Sequence, residues 1–409
     1  MTACAVEEPV AEATTEGGAE AGPEPDAPAG GDAEAAPAGV AGPGFVIAAD
    51  GSYAARLAGE GQARYPERWT LDGPEPYAVP LPLEQPEEAD TEVLPLADGR
   101  VLIHRRVAGH HAFSLLYPTG THGGTYGTAH GTHGPRTGQL PLGALECGPL
   151  TLLPPAPDGR GAYALAVGAE STTVWQVAGG AFGPERVAEV PGRCSGGVWL
   201  DREGRLLALD RERDGRTKAV VVDLGRGGEV SPLLQIAEAS DDHLLLADPD
   251  SGLLLIRSDA PSPGEGARLG WGVLGSSRPV RFPECLRAEG ASAVPFAVQP
   301  GQMLMPESCA VALRIGEPGV GAAAGAAGIA LWRPADRHVF RLGAPTGWVG
   351  TGLWSREGRL RLPYATPSVP CGVVSLGLPQ SPPPRVRLEP EPVPAAAQRP
   401  VPLQQAPLR

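Results

Sequence analysis

DGRVLIHR, Asp98 to Arg105, and EGRLLALD, Glu203 to Asp210, follow one plan: an acidic residue, a glycine, then a short apolar run. The plan recurs in DGSYAARL from Asp50, DGRGAYAL from Asp158, SGLLLIRS from Ser251, PGQMLMPE from Pro300 and EGRLRLPY from Glu357. Successive starts are 48, 60, 45, 48, 49 and 57 residues apart. Acid-Gly and Pro-Gly pairs make turns. The apolar runs are too short for helices and show no 3.6-residue period, so they read as strands.

Most units also carry an apolar stretch just before the turn, as in FVIAA, EVLPLA, GVWLD, LLLADP, VPFAVQ and GLWSR. Each unit therefore contains a hairpin. A third strand follows in HAFSLLY, TTVWQV, KAVVVDL, VALRI and CGVVSL. Three or four strands repeated every 45–50 residues make the blade of a β-propeller. Blades stacked face to face cover both sides of their middle strands. VLI, LLAL, LLLI and MLM are accordingly continuous apolar runs that do not alternate.

Over roughly residues 45–378 the chain resembles β-propellers of the WD40-like or TolB-like kind. The resemblance is architectural and implies an all-β ring, and the seven copies of the unit give it seven blades. If the unit at Asp50 lacks a first strand the count falls to six, with RVRL, Arg385 to Leu388, as a candidate to close the ring. The Trp-Asp dipeptide of WD40 blades is missing, since Trp199-Leu200-Asp201 is not equivalent. The double-glycine kelch pattern is missing too.

The ends differ from the middle. Residues 1–44 are Ala, Gly and Pro with nine carboxylates, and the first arginine is Arg56. Such a segment buries too little apolar area to offset its ordering entropy, so a disordered acidic tail is expected. Residues 379–409 hold ten prolines and are expected to be polyproline or disordered, with RVRL as a possible strand inside them.

A net charge of −14 speaks against nucleic acid and against anionic membranes as partners. Arg almost replaces Lys, Lys218 being the one lysine, as in GC-rich bacterial genomes of the actinobacterial type. Cys4, Cys147, Cys194, Cys285, Cys309 and Cys371 form no C-x-x-C pair and read as reduced, mostly buried small hydrophobes. The start is acidic, without a basic, apolar leader, and no run reaches about 18 apolar residues, so a cytoplasmic protein is expected.

THGGTYGTAHGTHG, Thr121 to Gly134, falls in the 60-residue interval and reads as a rim insertion between HAFSLLY and the next blade. GEPGVGAAAGAAG, Gly316 to Gly328, accounts for the 57-residue interval. His122, His130 and His133 are weak metal candidates, because Gly-rich spacing presets no geometry and no carboxylate or cysteine stands nearby. No cofactor is expected. G-x-S-x-G, a P-loop and H-E-x-x-H are absent, and Cys194-Ser195-Gly196-Gly197 reads as a structural turn rather than a nucleophile.

One constellation stands out. Six residues past each turn glycine stand Leu57, Arg105, Leu165, Asp210, Ser258, Glu307 and Tyr364. With Arg106, Arg211 and Glu212, the polar members Arg105, Asp210, Glu307 and Tyr364 make a candidate ligand or partner rim. The expected function is a non-catalytic propeller that binds a protein partner. The alternatives are a metal-dependent hydrolase or lactonase with an axial cation, which the absence of asparagine disfavours, and a ligand-sensing TolB-like module, which needs an export signal.

Overall fold

Asp-Gly turns build the molecule from its axis outward. The carboxylates of Asp50, Asp98 and Asp158 each accept the N–H two residues on, from Ser52, Arg100 and Arg160, at 3.0–3.1 Å. The following glycines take φ of 77°, 81° and 67°, a region that costs an L residue about 1–2 kcal/mol. Each turn thereby reverses the chain and lets the next apolar run pair antiparallel with the one before it. The computed structural model describes residues 44–119, 136–264, 266–287, 292–301, 304–316 and 328–378. The acidic tail, His122, His130, His133, most of the Ala-Gly insertion and RVRL lie outside the described residues.

The described chain is all-β, with seven antiparallel sheets in sequence order, five of four strands and two of three. It is a seven-bladed propeller. Blade 1 is Phe45–Ile47, Tyr53–Ala58, Tyr65–Thr70 and Tyr77–Pro80. Blade 2 is Glu92–Pro95, Val101–Val107, His110–Thr119 and Arg136–Leu145. Blade 3 is Leu150–Leu152, Ala162–Val167, Ser171–Ala178 and Glu185–Pro191. Blade 4 is Arg193–Trp199, Leu206–Arg213, Arg216–Asp223 and Glu229–Leu234. Blade 5 is Asp242–Ala247, Leu253–Ser258 and Arg268–Val273. Blade 6 is Ser292–Val298, Val311–Gly316, Gly328–Trp332 and Phe340–Gly343. Blade 7 is Leu353–Trp354, Arg359–Tyr364 and Gly372–Gly377.

First strands of consecutive blades approach one another, so they line the axis, and fourth strands such as Arg136–Leu145 are the exposed outer edge. Second strands are buried on both faces, as Val101, Leu102 and Ile103 and then Leu253, Leu254, Leu255 and Ile256 show. Seven apolar clusters result, one at each seam between neighbouring blades. Each buried Leu, Val or Ile contributes about 1.5–3 kcal/mol. An exposed pair such as Arg186–Glu189 adds about 1 kcal/mol at most. The seams hold the ring.

Blade 1 takes all four strands from one continuous stretch, with Phe45–Ile47 as its first, so the unit at Asp50 is a full blade. No strand is exchanged at the closure among the described residues. Blade 7 instead packs Val349, Leu353 and Val373 on Phe45, Trp69 and Leu71 of blade 1, and Arg361 donates to the Leu71 carbonyl and to Asp72.

Two readings of the sequence are corrected. MLM is not a middle strand: Leu304 and Met305 lie in a loop, Pro306–Ser308 is a 3-10 turn, and VALRI supplies the middle strand of blade 6. The His-rich stretch does not separate two blades. It interrupts the hairpin between the third and fourth strands of blade 2, whose last described pair is Thr119 with Arg136.

Gly301 nonetheless keeps the period, and the reason is packing. A Cβ on Gly301 would collide with Ser251 of blade 5, one on Gly51 with Leu353 of blade 7, and one on Gly159 would sit 2.5 Å from the Ala97 Cβ of blade 2. These glycines let each turn nest against the preceding blade. Gly159→Ala should therefore destabilise by about 3 kcal/mol, combining backbone strain with overpacking. Gly61→Ala, with φ 57° but nothing within 4 Å, should cost only about 1 kcal/mol. Urea midpoints of the two variants check this; equal losses would remove the packing argument.

Candidate functional site

The meander order puts every first-to-second-strand turn on one face of the ring and every second-to-third-strand hairpin on the other. Arg105, Arg106, Asp210, Arg211, Glu212 and Tyr364 all reach the hairpin face, at the ends of the second strands of blades 2, 4 and 7. Glu307 does not. It sits in the 3-10 turn before its blade's second strand, and its carbonyl accepts from Ala335 on the turn face. The displacement of blade 6's middle strand from MLM to VALRI is the cause.

The residues of this column are tied inward. Arg105 donates through Nε and Nη2 to Glu87, at 2.7 Å each, and Glu87 is buried on the link from blade 1. Arg106 stands 3.8 Å from Asp90, both exposed. Asp210 accepts from His243 Nδ1 at 3.1 Å and from the Leu244 N–H at 3.0 Å, both in the first strand of blade 5. Ser258 donates to Asp242 at 2.6 Å. Arg211 pairs across the strands with Cys194 and its Nε is buried without a hydrogen-bond partner, and Glu212 is exposed. Tyr364 bridges Trp348. Blade 3 separates the blade 2 set from the blade 4 set, so these residues form a rim and not one pocket.

Ser195 pairs with Asp210 across the first two strands of blade 4, and His243 binds that same carboxylate. A nucleophilic triad needs the serine beyond the imidazole, on the nitrogen that the carboxylate does not hold. Here the register sets Ser195 beside the carboxylate. Gly196 and Gly197 form a bulge, and a Cβ on Gly197 would strike Leu153 of blade 3. The motif is a packing device. Burial pushes the Cys194 thiol up to about 11 and that of Cys371 likewise to about 11, so neither supplies a thiolate near neutral pH.

Two polar networks escaped the sequence reading. At the seam of blades 2 and 3, Glu92 contacts His104 Nδ1, His104 Nε2 contacts His111 Nδ1, and His111 Nε2 contacts the Gly148 carbonyl, each at 2.8 Å. Both imidazoles are buried. Three hydrogen bonds between two terminal acceptors need three hydrogens, whereas a carboxylate and two neutral imidazoles carry two. The trio is complete only with one further proton. His104 stands next to Arg105, but nothing in the spacing says that a strand pairing will return His111 to it.

The second network uses the one lysine. Lys218 Nζ donates to Asp242 at 2.8 Å, to Ser240 Oγ at 3.1 Å and to the Ala237 carbonyl at 2.5 Å. Three acceptors in different directions suit a compact ammonium better than a planar guanidinium. Burial pushes the Asp242 carboxyl up, but donors from Lys218, Ser258, Ile236 and Ser240 outweigh it and hold the group below the ordinary carboxylate range.

Among the described residues no group of three or more His, Cys, Asp or Glu side chains is arranged to hold a metal ion. Among them, too, no helix is long and apolar enough to cross a membrane.

No protein-family model matches the sequence, and no curated protein matches it either. Solved structures do. The putative TolB from Agrobacterium tumefaciens is 14% identical over 82% of this chain and 90% of its own, with a TM-score of 0.35. TolB from Acinetobacter baumannii is 11% identical over 80% of each chain, with a TM-score of 0.41. The oligogalacturonate lyase from Vibrio parahaemolyticus is 12% identical over 83% of this chain and 87% of its own, with a TM-score of 0.44. At these identities the likeness carries nothing about activity, and the blade count rests on the sheets themselves.

Removing one partner of a buried pair costs about 3–5 kcal/mol, because the other charge stays unpaired. Lys218→Met should therefore lower stability by about 3 kcal/mol, and the double variant Lys218→Met/Asp242→Leu should recover more than half of the loss, read from urea unfolding. A carboxylate held low stabilises the fold above about pH 3.9, its unperturbed value, and loses that contribution as pH falls through the folded-state value. The wild type should thus lose stability to acid more steeply than the double variant.

Proposed function

We propose that the propeller is a non-catalytic binding scaffold whose contact surface is the hairpin face around blades 2, 3 and 4. One observation carries the reading. Most titratable groups beneath this face are held by internal bonds, in Arg105–Glu87, Glu92–His104–His111, Asp210–His243 and Lys218–Asp242. The tips above them are exposed and carry mixed charge. In blade 2 these are Arg106, Val107 and His110, and in blade 4 Glu212, Arg213, Asp214 and Arg216.

Both tips are tight turns held by residues at positive φ, Ala108 at 50° and Asp214 at 54°, each followed by a glycine. Such turns hold their side chains in a preset arrangement, which lowers the ordering cost of association. The net charge of −14 supports a protein partner over nucleic acid or an anionic membrane. No cofactor enters this reading.

A photo-crosslinking residue at Val107 or Arg213 should capture the same host protein, whereas one at Glu203 on the turn face should not. The gel position and mass of the adduct check this. Equal capture from both faces, or none from the hairpins, counts against the reading.

A further inference from the structure

We propose that Arg385–Leu388 adds to blade 7 as its outer, fourth strand, pairing along Gly372–Gly377. The edge for it is on the page. In blades 1 to 4 and in blade 6 a fourth strand covers the third. In blade 5 the place is taken by Arg281, which exchanges two backbone hydrogen bonds with Trp271, at 2.9 and 3.0 Å. Among the described residues only blade 7 leaves its third strand without an outer neighbour. The consequence shows in burial: Val174 and Val177 of blade 3, Val220 and Val222 of blade 4 and Ala330 and Leu331 of blade 6 are buried, while Val373, Val374 and Leu376 of blade 7 are half-buried. An open strand edge with half-covered apolar side chains is a template for pairing.

Chain length and sequence select the occupant. Third strands connect to fourth strands through residues 71–76, 179–184, 224–228 and 333–339, links of five to seven residues. From the end of Gly372–Gly377 a link over 378–384, seven residues, brings the chain to Arg385. Pro382, Pro383 and Pro384 lack the N–H a ladder needs, so pairing begins at Arg385, and Pro390 ends it. The enclosed residues alternate, with Val386 and Leu388 for the apolar face and Arg385 and Arg387 for solvent. The strand would complete the blade that closes the ring.

Hydrogen exchange on the full-length protein tests this. Amides of residues 386–389 should exchange at least tenfold more slowly than those of Ala395–Ala397 in the same tail. In Val386→Asp/Leu388→Asp, or in a chain ending at Leu378, amides of Gly372–Gly377 should exchange at least tenfold faster, with Arg216–Asp223 of blade 4 unchanged. Unprotected amides at 386–389 in the native protein overturn the proposal without reference to any variant. So does protection of Gly372–Gly377 that survives truncation, or that grows with protein concentration, which would make a second copy the occupant.

Discussion

Near the axis of a propeller the wedges are narrowest, and there the backbone of one blade must pass close against residues of the blade before it. In this chain that approach is made by the turn between the first and second strands, and a glycine stands at the point of contact. Gly159 lies on Ala97, with the Ala97 N–H donating to the Gly159 carbonyl at 3.0 Å. Gly301 lies on Ser251 and Asp248, and its N–H donates to Asp248 at 2.9 Å. Gly51 lies against the tip of the Leu353 side chain across the closure of the ring. A side chain at these positions would wedge the blades apart where they converge and pull the apolar seams out of register. The seam clusters, which supply most of the stabilisation, depend on that approach.

The polar residues at the seams follow from the same geometry. At the hairpin face the inner edge of each first strand has unpaired N–H groups, and neighbouring blades supply acceptors. Asp210 caps Leu244, Glu92 reaches Leu152 at 3.3 Å, and Thr172 Oγ1 accepts from Cys194 at 2.8 Å. Satisfied buried networks of this kind add specificity to seams that apolar contact alone would leave free to slide. On the proposed reading, what is left to a partner is the shape and mixed charge of the exposed hairpins.

How far the sequence could be read follows from which contacts are local. Turn glycines and two-sided burial repeat along the chain, so strand identity, blade period and the all-β class were visible in Asp98–Arg105 and its copies. The reading of PGQMLMPE failed at one step: the glycine held its place because of the neighbouring blade, while the strand it seemed to introduce was VALRI. Glu307 was misassigned with it. Arg105 and Asp210 stand at the ends of second strands, but their partners Glu87, on the link from blade 1, and His243, in blade 5, could not be read from local spacing.

Length, periodicity and residue chemistry by themselves determined a ring of β-blades, because each blade's hairpin is built from neighbouring residues whose side chains declare their burial. Only the tertiary structure decided that blade 1 is complete from Phe45 onward, that the described residues close the ring by packing and not by strand exchange, and that Lys218 and His243 tie blade 4 to blade 5. Those outcomes depend on which strand of one blade faces which strand of the next. That facing is set by the wedge geometry of the ring, and no local pattern in the chain records it.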